Sequence, residues 1–183
     1  MELCQPDPER AIAFFYFDFN DPQKQKCNSA LCSVITQIAR QSSSFPEPLK
    51  TLYFRCQSGK RPPTYGDLIE VLENVIVGLQ HTYIILDALD ECQSAERKRL
   101  SALIGRITKL GNLHLLVTSR KEQDIEEWLE PMVTRQVDLA NTINTDIEQY
   151  IQGTLQNDPK WKYWNDWEGG KIEATLMKGA NGM

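Results

Sequence analysis

Thr82-Tyr83-Ile84-Ile85-Leu86-Asp87-Ala88-Leu89-Asp90-Glu91 is a β-branched and aliphatic run that ends in three carboxylates within five positions. Tyr83 through Leu86 have no polar interruption, the pattern of a parallel strand buried on both faces. Asp87 then stands at the carboxyl end of that strand, where open α/β sheets place their ligand crevice. A charge buried there is costly unless it is paired or coordinates a metal. The pattern reads as a Walker B strand, in which Asp87 helps hold Mg²⁺ on a nucleotide and Asp90 or Glu91 positions or activates water. A plain buried strand followed by an acidic loop that begins a helix is the rival reading. The complete string D-A-L-D-E favours the first.

Working outward, Ala11 to Phe19 is a first strand dense in aromatics, closed by Asn20-Asp21-Pro22. Asp suits a helix cap and Pro the first turn. Ala30, Leu31, Val34, Ile35 and Ile38 recur at helical spacing and predict an amphipathic helix over about 23–41. A short helix over 47–57, a loop at Gln57 to Pro63 and a weak capping box from Thr64 to Asp67 lead into a second amphipathic helix. After the acidic string come a helix over about 94–109 and a second buried strand, Leu113 to Thr118. A short helix follows over 122–129, then an edge strand over Thr134–Leu139, a helix from Thr145 to about Leu155 and an irregular tail from Asp158. Alternating strands and helices imply an α/β domain with a mostly parallel, doubly wound sheet.

The 183 residues suffice for one domain with a real core, and 41% hydrophobic with 25% charged residues is ordinary globular composition. A formal charge of −5, with Arg97-Lys98-Arg99 as the longest basic cluster, argues against nucleic acid as a partner. That cluster reads as a solvated helix face. The five cysteines form no C-x-x-C pair, and with only His81 and His114 present no zinc spacing can be built. Scattered thiols, no secretory leader and no bilayer-length apolar run lead to the expectation of a cytoplasmic chain without membrane contact.

Leu116-Val117-Thr118-Ser119-Arg120 is the second informative string. A strand that ends in a small hydroxyl residue and then an arginine suits a phosphate sensor, because the planar guanidinium can bridge two phosphate oxygens. An ordinary Arg paired with a nearby carboxylate is the alternative. Together with D-A-L-D-E one helix earlier, the pattern resembles the NACHT branch of the signal-transduction P-loop ATPases. Within it, the likeness is to the nephrocystin-3-like N-terminal type found ahead of ankyrin or WD repeats in fungal proteins. Ala13 to Asp18 is similar to the family's second strand, Leu31 to Gln37 to the helix after it, and Val117 to Arg120 to its sensor strand. Asp146 to Ile151 is similar to the opening of its helical lid, and Lys178 to Met183 to a lid motif.

The resemblance implies a three-layer P-loop NTPase-type fold with a nucleotide-binding core over 1–140 and the start of a lid over 141–183. It implies Asp87 as the Mg²⁺-side carboxylate, Asp90 and Glu91 as catalytic acids, and Arg120 as the nucleotide sensor. Its cofactors are Mg²⁺ and ATP or GTP, its output regulated self-association, and in fungi its setting non-self recognition or cell-death signalling. The glycine-rich loop G-x-x-x-x-G-K-[ST] that cradles phosphates is not present in residues 1–183. The one Gly-Lys, Gly59-Lys60, has Phe54 where the first glycine belongs and Arg61 where the hydroxyl belongs. The expectation is therefore of a switch domain cut at both ends and lacking its P-loop strand. By resemblance that strand lies between the Walker B and sensor strands, so both inner strands are expected either to lose a partner or to pair directly at the cost of the phosphate site. A non-enzymatic interaction module and a non-functional gene-model fragment are the rival readings.

Two further features stand apart. Trp161, Trp164 and Trp167 with Tyr163 make an aromatic stripe, read either as a partner surface or as the packed face of a helix. Cys92, beside Asp90 and Glu91, reads as an inert thiol.

Overall fold

The computed structural model describes residues 9–42, 44–137, 140–157 and 166–180. The order is β1 (Arg10–Tyr16), α1 (Cys27–Gln41), α2 (Glu47–Arg55), α3 (Tyr65–Val77), β2 (His81–Asp87), α4 (Ser94–Ile107), β3 (Leu113–Val117), α5 (Gln123–Leu129), α6 (Ala140–Asn157) and α7 (Asp166–Ala180). The chain divides into two compact units, Met1–Val133 and Thr134–Met183. The first is the parallel α/β unit expected. In the second, α6 and α7 pack on each other, with Gln152 Nε2 donating to Glu173 Oε1 at 2.7 Å.

The sheet runs β1-β2-β3, all parallel. Seven residue pairs join β1 to β2 and five join β2 to β3, from Thr82↔Leu113 to Leu86↔Val117. The direct β2–β3 ladder decides between the two expected outcomes: the inner strands pair with each other and no gap is left between the Asp87 strand and the strand before Arg120. Thr82, Ile84 and Leu86 turn to β3, and their alternating neighbours turn to β1. β2 is thus satisfied on both edges.

Each strand is laid down on the same side of the previous one, so right-handed crossovers bring the intervening helices to one face. Ala13, Phe15, Ile84 and Leu86 are buried there with Leu31, Ile35 and Ile38 of α1, Leu72 and Ile76 of α3, and Leu100 and Ile104 of α4. The other face stays open, and the expectation that β2 is buried on both faces is corrected. Phe14, Tyr16 and Tyr83 are exposed, and Leu116 is 56% exposed.

The two outer edges differ. On β1, the outward groups of Ile12 and Phe14 are met by side chains of α1. Gln41 accepts from the Ile12 amide at 3.0 Å and donates to its carbonyl at 2.6 Å. Gln37 does the same for Phe14, at 3.1 and 2.7 Å. The match is geometric: four helical residues rise about 6 Å, close to the repeat of two strand residues. The two primary amides act as a surrogate strand. On β3 the outward groups of Leu115 and Val117 have no partner among the described residues.

Local signals placed most elements, and tertiary contacts moved their ends. β1 stops at Tyr16, because Asp18 Oδ1 accepts from the Asn20 amide at 2.9 Å and turns the chain. α1 starts at Cys27, not near residue 23. Asp21 is spent on a turn, accepting the Gln23 amide at 2.9 Å, and Glu96 of α4 accepts the Cys27 amide at 3.3 Å. The capping box of α3 is complete, and its hydrogen bonds from the Thr64 hydroxyl and amide hold the Asp67 carboxyl below the usual range. The edge strand expected over 134–139 is not formed at 134–137, and 138–139 lie outside the described residues. A helix occupies 166–180 where an irregular tail was expected. Trp161, Tyr163 and Trp164 also lie outside the described residues, as do the side chain of Trp167 and residues 181–183 of the expected lid motif.

Amide hydrogen exchange should show Tyr83–Leu86 protected to the level of global unfolding, with Leu115 and Val117 exchanging well ahead of them. Replacing Gln37 and Gln41 together by Ala removes four edge hydrogen bonds at about 0.5–1.5 kcal/mol each and should raise concentration-dependent aggregation by light scattering. Equal protection at Leu115 and Tyr83 would overturn the assignment of the open edge.

Candidate functional site

The carboxyl ends of β2 and β3 are tied together by Thr118. Its amide donates to Leu86 O at 3.0 Å and its carbonyl accepts from the Leu89 amide at 2.9 Å. Its hydroxyl accepts from the Ala88 amide at 3.0 Å and donates to Asp87 Oδ1. Ala88 takes the left-handed conformation (φ 54°, ψ 51°), which costs a residue with a Cβ about 1–2 kcal/mol. The Thr118 hydroxyl holds that turn in place. Beyond it Leu89–Glu91 form one 3₁₀ turn with Leu89 wholly buried, so the acidic string is a rigid corner rather than a loose loop.

The three carboxylates take different partners. Asp87 keeps one oxygen on Thr118, and its other oxygen has no hydrogen-bond partner among the described residues. Asp90 is bound to Arg120: Oδ1 accepts from the Arg120 amide at 3.0 Å, and Oδ2 lies 3.6 Å from Nε. Its side chain is 10% exposed, against 68% for Arg120. Glu91 Oε2 accepts from the Phe19 amide at 2.9 Å, joining the corner to the segment after β1. Asp87, Asp90 and Arg120 thus gather at the ends of two adjacent strands, while Glu91 faces the β1 side.

Arg97 was read from sequence as part of a solvated face. The structure corrects this: its side chain is only 14% exposed. Nη2 donates to Asp90 O at 2.6 Å, Nε to Cys92 O at 3.2 Å, and Nη1 to both oxygens of Asp124 at 2.8 Å. The fork fixes the carbonyls of the acidic corner and anchors them to α5. No local signal marks it, because its partners lie on two segments, the acidic corner and α5, and the second is twenty-seven residues away. Cys92 is buried, and burial is the main cause that pushes its thiol up to about 12, with Glu96 adding to it and Arg97 opposing. The inert reading of Cys92 agrees with this, through burial rather than through Asp90 and Glu91.

Among the described residues no group of three His, Cys, Asp or Glu side chains is arranged to hold a metal. Mg²⁺ on a nucleotide asks for less, typically one or two carboxylates with phosphate oxygens completing the shell. Asp87, with one oxygen steadied by Thr118 and the other open, fits that role. Gly59-Lys60 does not supply the phosphate cradle. Gln57, Ser58 and Gly59 run through the left-handed region (φ 53°, 55° and 82°) in the turn between α2 and α3, with no strand before them.

Residues 2–120 match the family described as Nephrocystin 3, N-terminal, and the matched span includes Asp87, Asp90, Glu91 and Arg120. The chain belongs to the nephrocystin 3 N-terminal family. It is also similar to the vegetative incompatibility protein HET-E-1 of Podospora anserina, with 29% identity over 193 aligned positions. That alignment covers 99% of this chain and 14% of the relative. No solved structure matches at a significant level. The two matches together support a NACHT-related region. In this nephrocystin 3 N-terminal chain, no helix among the described residues is long and apolar enough to cross a membrane.

Thr118→Val keeps the β-branched shape and removes the hydroxyl, leaving the Ala88 amide and the Asp87 carboxylate each short of a partner. Urea unfolding should show a loss of about 0.5–1.5 kcal/mol, with Thr118→Ser close to wild type. Equal stability of the Val and Ser variants would remove Thr118 from the centre of the site.

Proposed function

We propose that residues 9–133 form the Walker B and sensor half of a NACHT-type nucleotide-dependent switch, working with ATP or GTP and Mg²⁺. The observation that carries this reading is the paired cross-links between β2 and β3, Asp87 to Thr118 and Asp90 to Arg120. Asp87 is the proposed metal-side carboxylate. Arg120 leaves Asp90 to meet a phosphate, a local exchange of one charge partner for another. Glu91 is the proposed base for water, since Asp90 Oδ1 stays engaged by the Arg120 backbone amide when the guanidinium leaves.

The edges of the sheet support a place for the phosphate loop. Gln37 and Gln41 fill the β1 edge, whereas the outward groups of Leu115 and Val117 on β3 have no partner among the described residues. A parallel strand ending in G-x-x-x-x-G-K-[ST] and added at β3 brings its loop beside Thr118 and Arg120. The proposed output is regulated self-association of a cytoplasmic protein. The word incompatibility in the name of the Podospora relative suggests non-self signalling as its setting. A second reading, a non-enzymatic interaction module, is favoured by one observation: Asp87 and Asp90 already have protein partners within residues 1–183.

The 183-residue chain lacks the amide cradle and its lysine, and calorimetric titration with Mg-ATP or Mg-GTP should therefore show no appreciable binding. Low-micromolar affinity would overturn the missing-cradle argument.

With a strand and glycine-rich loop added ahead of residue 1, nucleotide should bind. Asp87→Ala should then weaken Mg²⁺-dependent binding. Glu91→Gln should preserve binding and slow turnover by about 10²-fold or more. Normal turnover in Glu91→Gln with none in Asp90→Asn would reverse the two carboxylates. No binding at all would favour the interaction module.

A further inference from the structure

His81 opens β2 and His114 lies one residue into β3, thirty-three positions apart in the chain. Their spacing matches no zinc pattern, yet the register Tyr83↔His114 sets them diagonally on neighbouring strands. Both share the open face of the sheet with Tyr83. His81 Nδ1 and His114 Nε2 are 3.1 Å apart, and Tyr83 stacks on the His114 ring at 4.7 Å and 15°. We propose that His81 and His114 form a chelating pair for one divalent transition-metal ion of the imidazole-preferring class, Ni²⁺, Cu²⁺ or Zn²⁺.

Two imidazoles on one such ion, each about 2.0–2.1 Å from it, sit with their nitrogens roughly 2.9–3.4 Å apart. The pair already has that separation. The ring centroids are 5.3 Å apart, so the nitrogens now face each other across a shared proton. The ion takes a place beside that line once each ring reorients by about 40°, the angle that the 3.1 Å separation and metal bonds of about 2.05 Å require. The ring that donates moves its proton to its other nitrogen, so both remain neutral and both lone pairs become available. The backbone beneath is a parallel ladder, and Tyr83 restrains His114. Water fills the remaining positions, so affinity follows the usual order of divalent ions, with Cu²⁺ strongest. Asp87 lies at the far end of β2, about 20 Å away at 3.3 Å per residue. The site is therefore separate from the proposed nucleotide site and does not depend on it.

The test is calorimetric titration of Ni²⁺ into the whole chain carrying Cys4→Ser and Cys32→Ser, because Cys32 is an exposed thiol and Cys4 lies outside the described residues. One Ni²⁺ per chain is expected, with affinity falling on the order of tenfold or more in His81→Gln and in His114→Gln. A parallel measurement needs no variant at the histidines: Ni²⁺ should protect both from diethyl pyrocarbonate in the folded chain. Unchanged Ni²⁺ affinity in both Gln variants, or equal modification with and without Ni²⁺, overturns the proposal.

Discussion

The ladder between β2 and β3 sets everything at the carboxyl end of the sheet, because it brings the ends of two strands thirty residues apart within reach of one hydroxyl. Thr118 closes that ladder and then continues it, taking the Leu86 carbonyl and the Leu89 amide with its backbone. With both edges of β2 satisfied, the acidic corner has no freedom to slide. A one-residue slip would move Thr118 off Asp87 and turn every side chain of β3 to the opposite face. The left-handed Ala88 is tolerated because the partners around it leave the backbone no better arrangement.

The same topology makes the sheet asymmetric. Three strands added in one direction send their helices to one side, and the opposite side carries Phe14, Tyr16, Tyr83 and Leu116 without cover from that layer. That face carries polar groups at both ends: Asp87 and Thr118 at the carboxyl end, His81 and His114 at the amino end. The edges are treated unequally too. Exposed strand edges recruit other strands. Gln37 and Gln41 remove that hazard at β1, while β3 remains able to pair.

Charge pairs hold the corner to the rest of the unit. Arg97, itself nearly buried, spends its donors on two carbonyls and on the more exposed Asp124. Glu96, one residue earlier, reaches the opposite way and caps α1. Adjacent residues at the start of α4 therefore couple the corner to α5 and to the helix that guards the β1 edge. Asp90 with Arg120 differs from these, because the arginine is mostly exposed and its side chain is held at one point. Of the pairs around the corner, it is the one whose exchange would disturb the fold least.

The sequence by itself determined the α/β class, the three strands within a few residues and the positions of Asp87, Asp90, Glu91 and Arg120, since hydrophobic period and abrupt strand ends are local properties. It also carried the family, through the strings around Asp87 and Thr118 that the match to residues 2–120 includes. Tertiary structure alone decided that β2 and β3 are neighbours, that one sheet face is open, and that Arg97 is nearly buried. It alone set the start of α1, which Glu96 determines from seventy residues away. It also decided which carboxylate meets which partner, and that His81 and His114 touch. Each of these depends on contacts between segments far apart in the chain, and no periodicity or spacing within one segment encodes them.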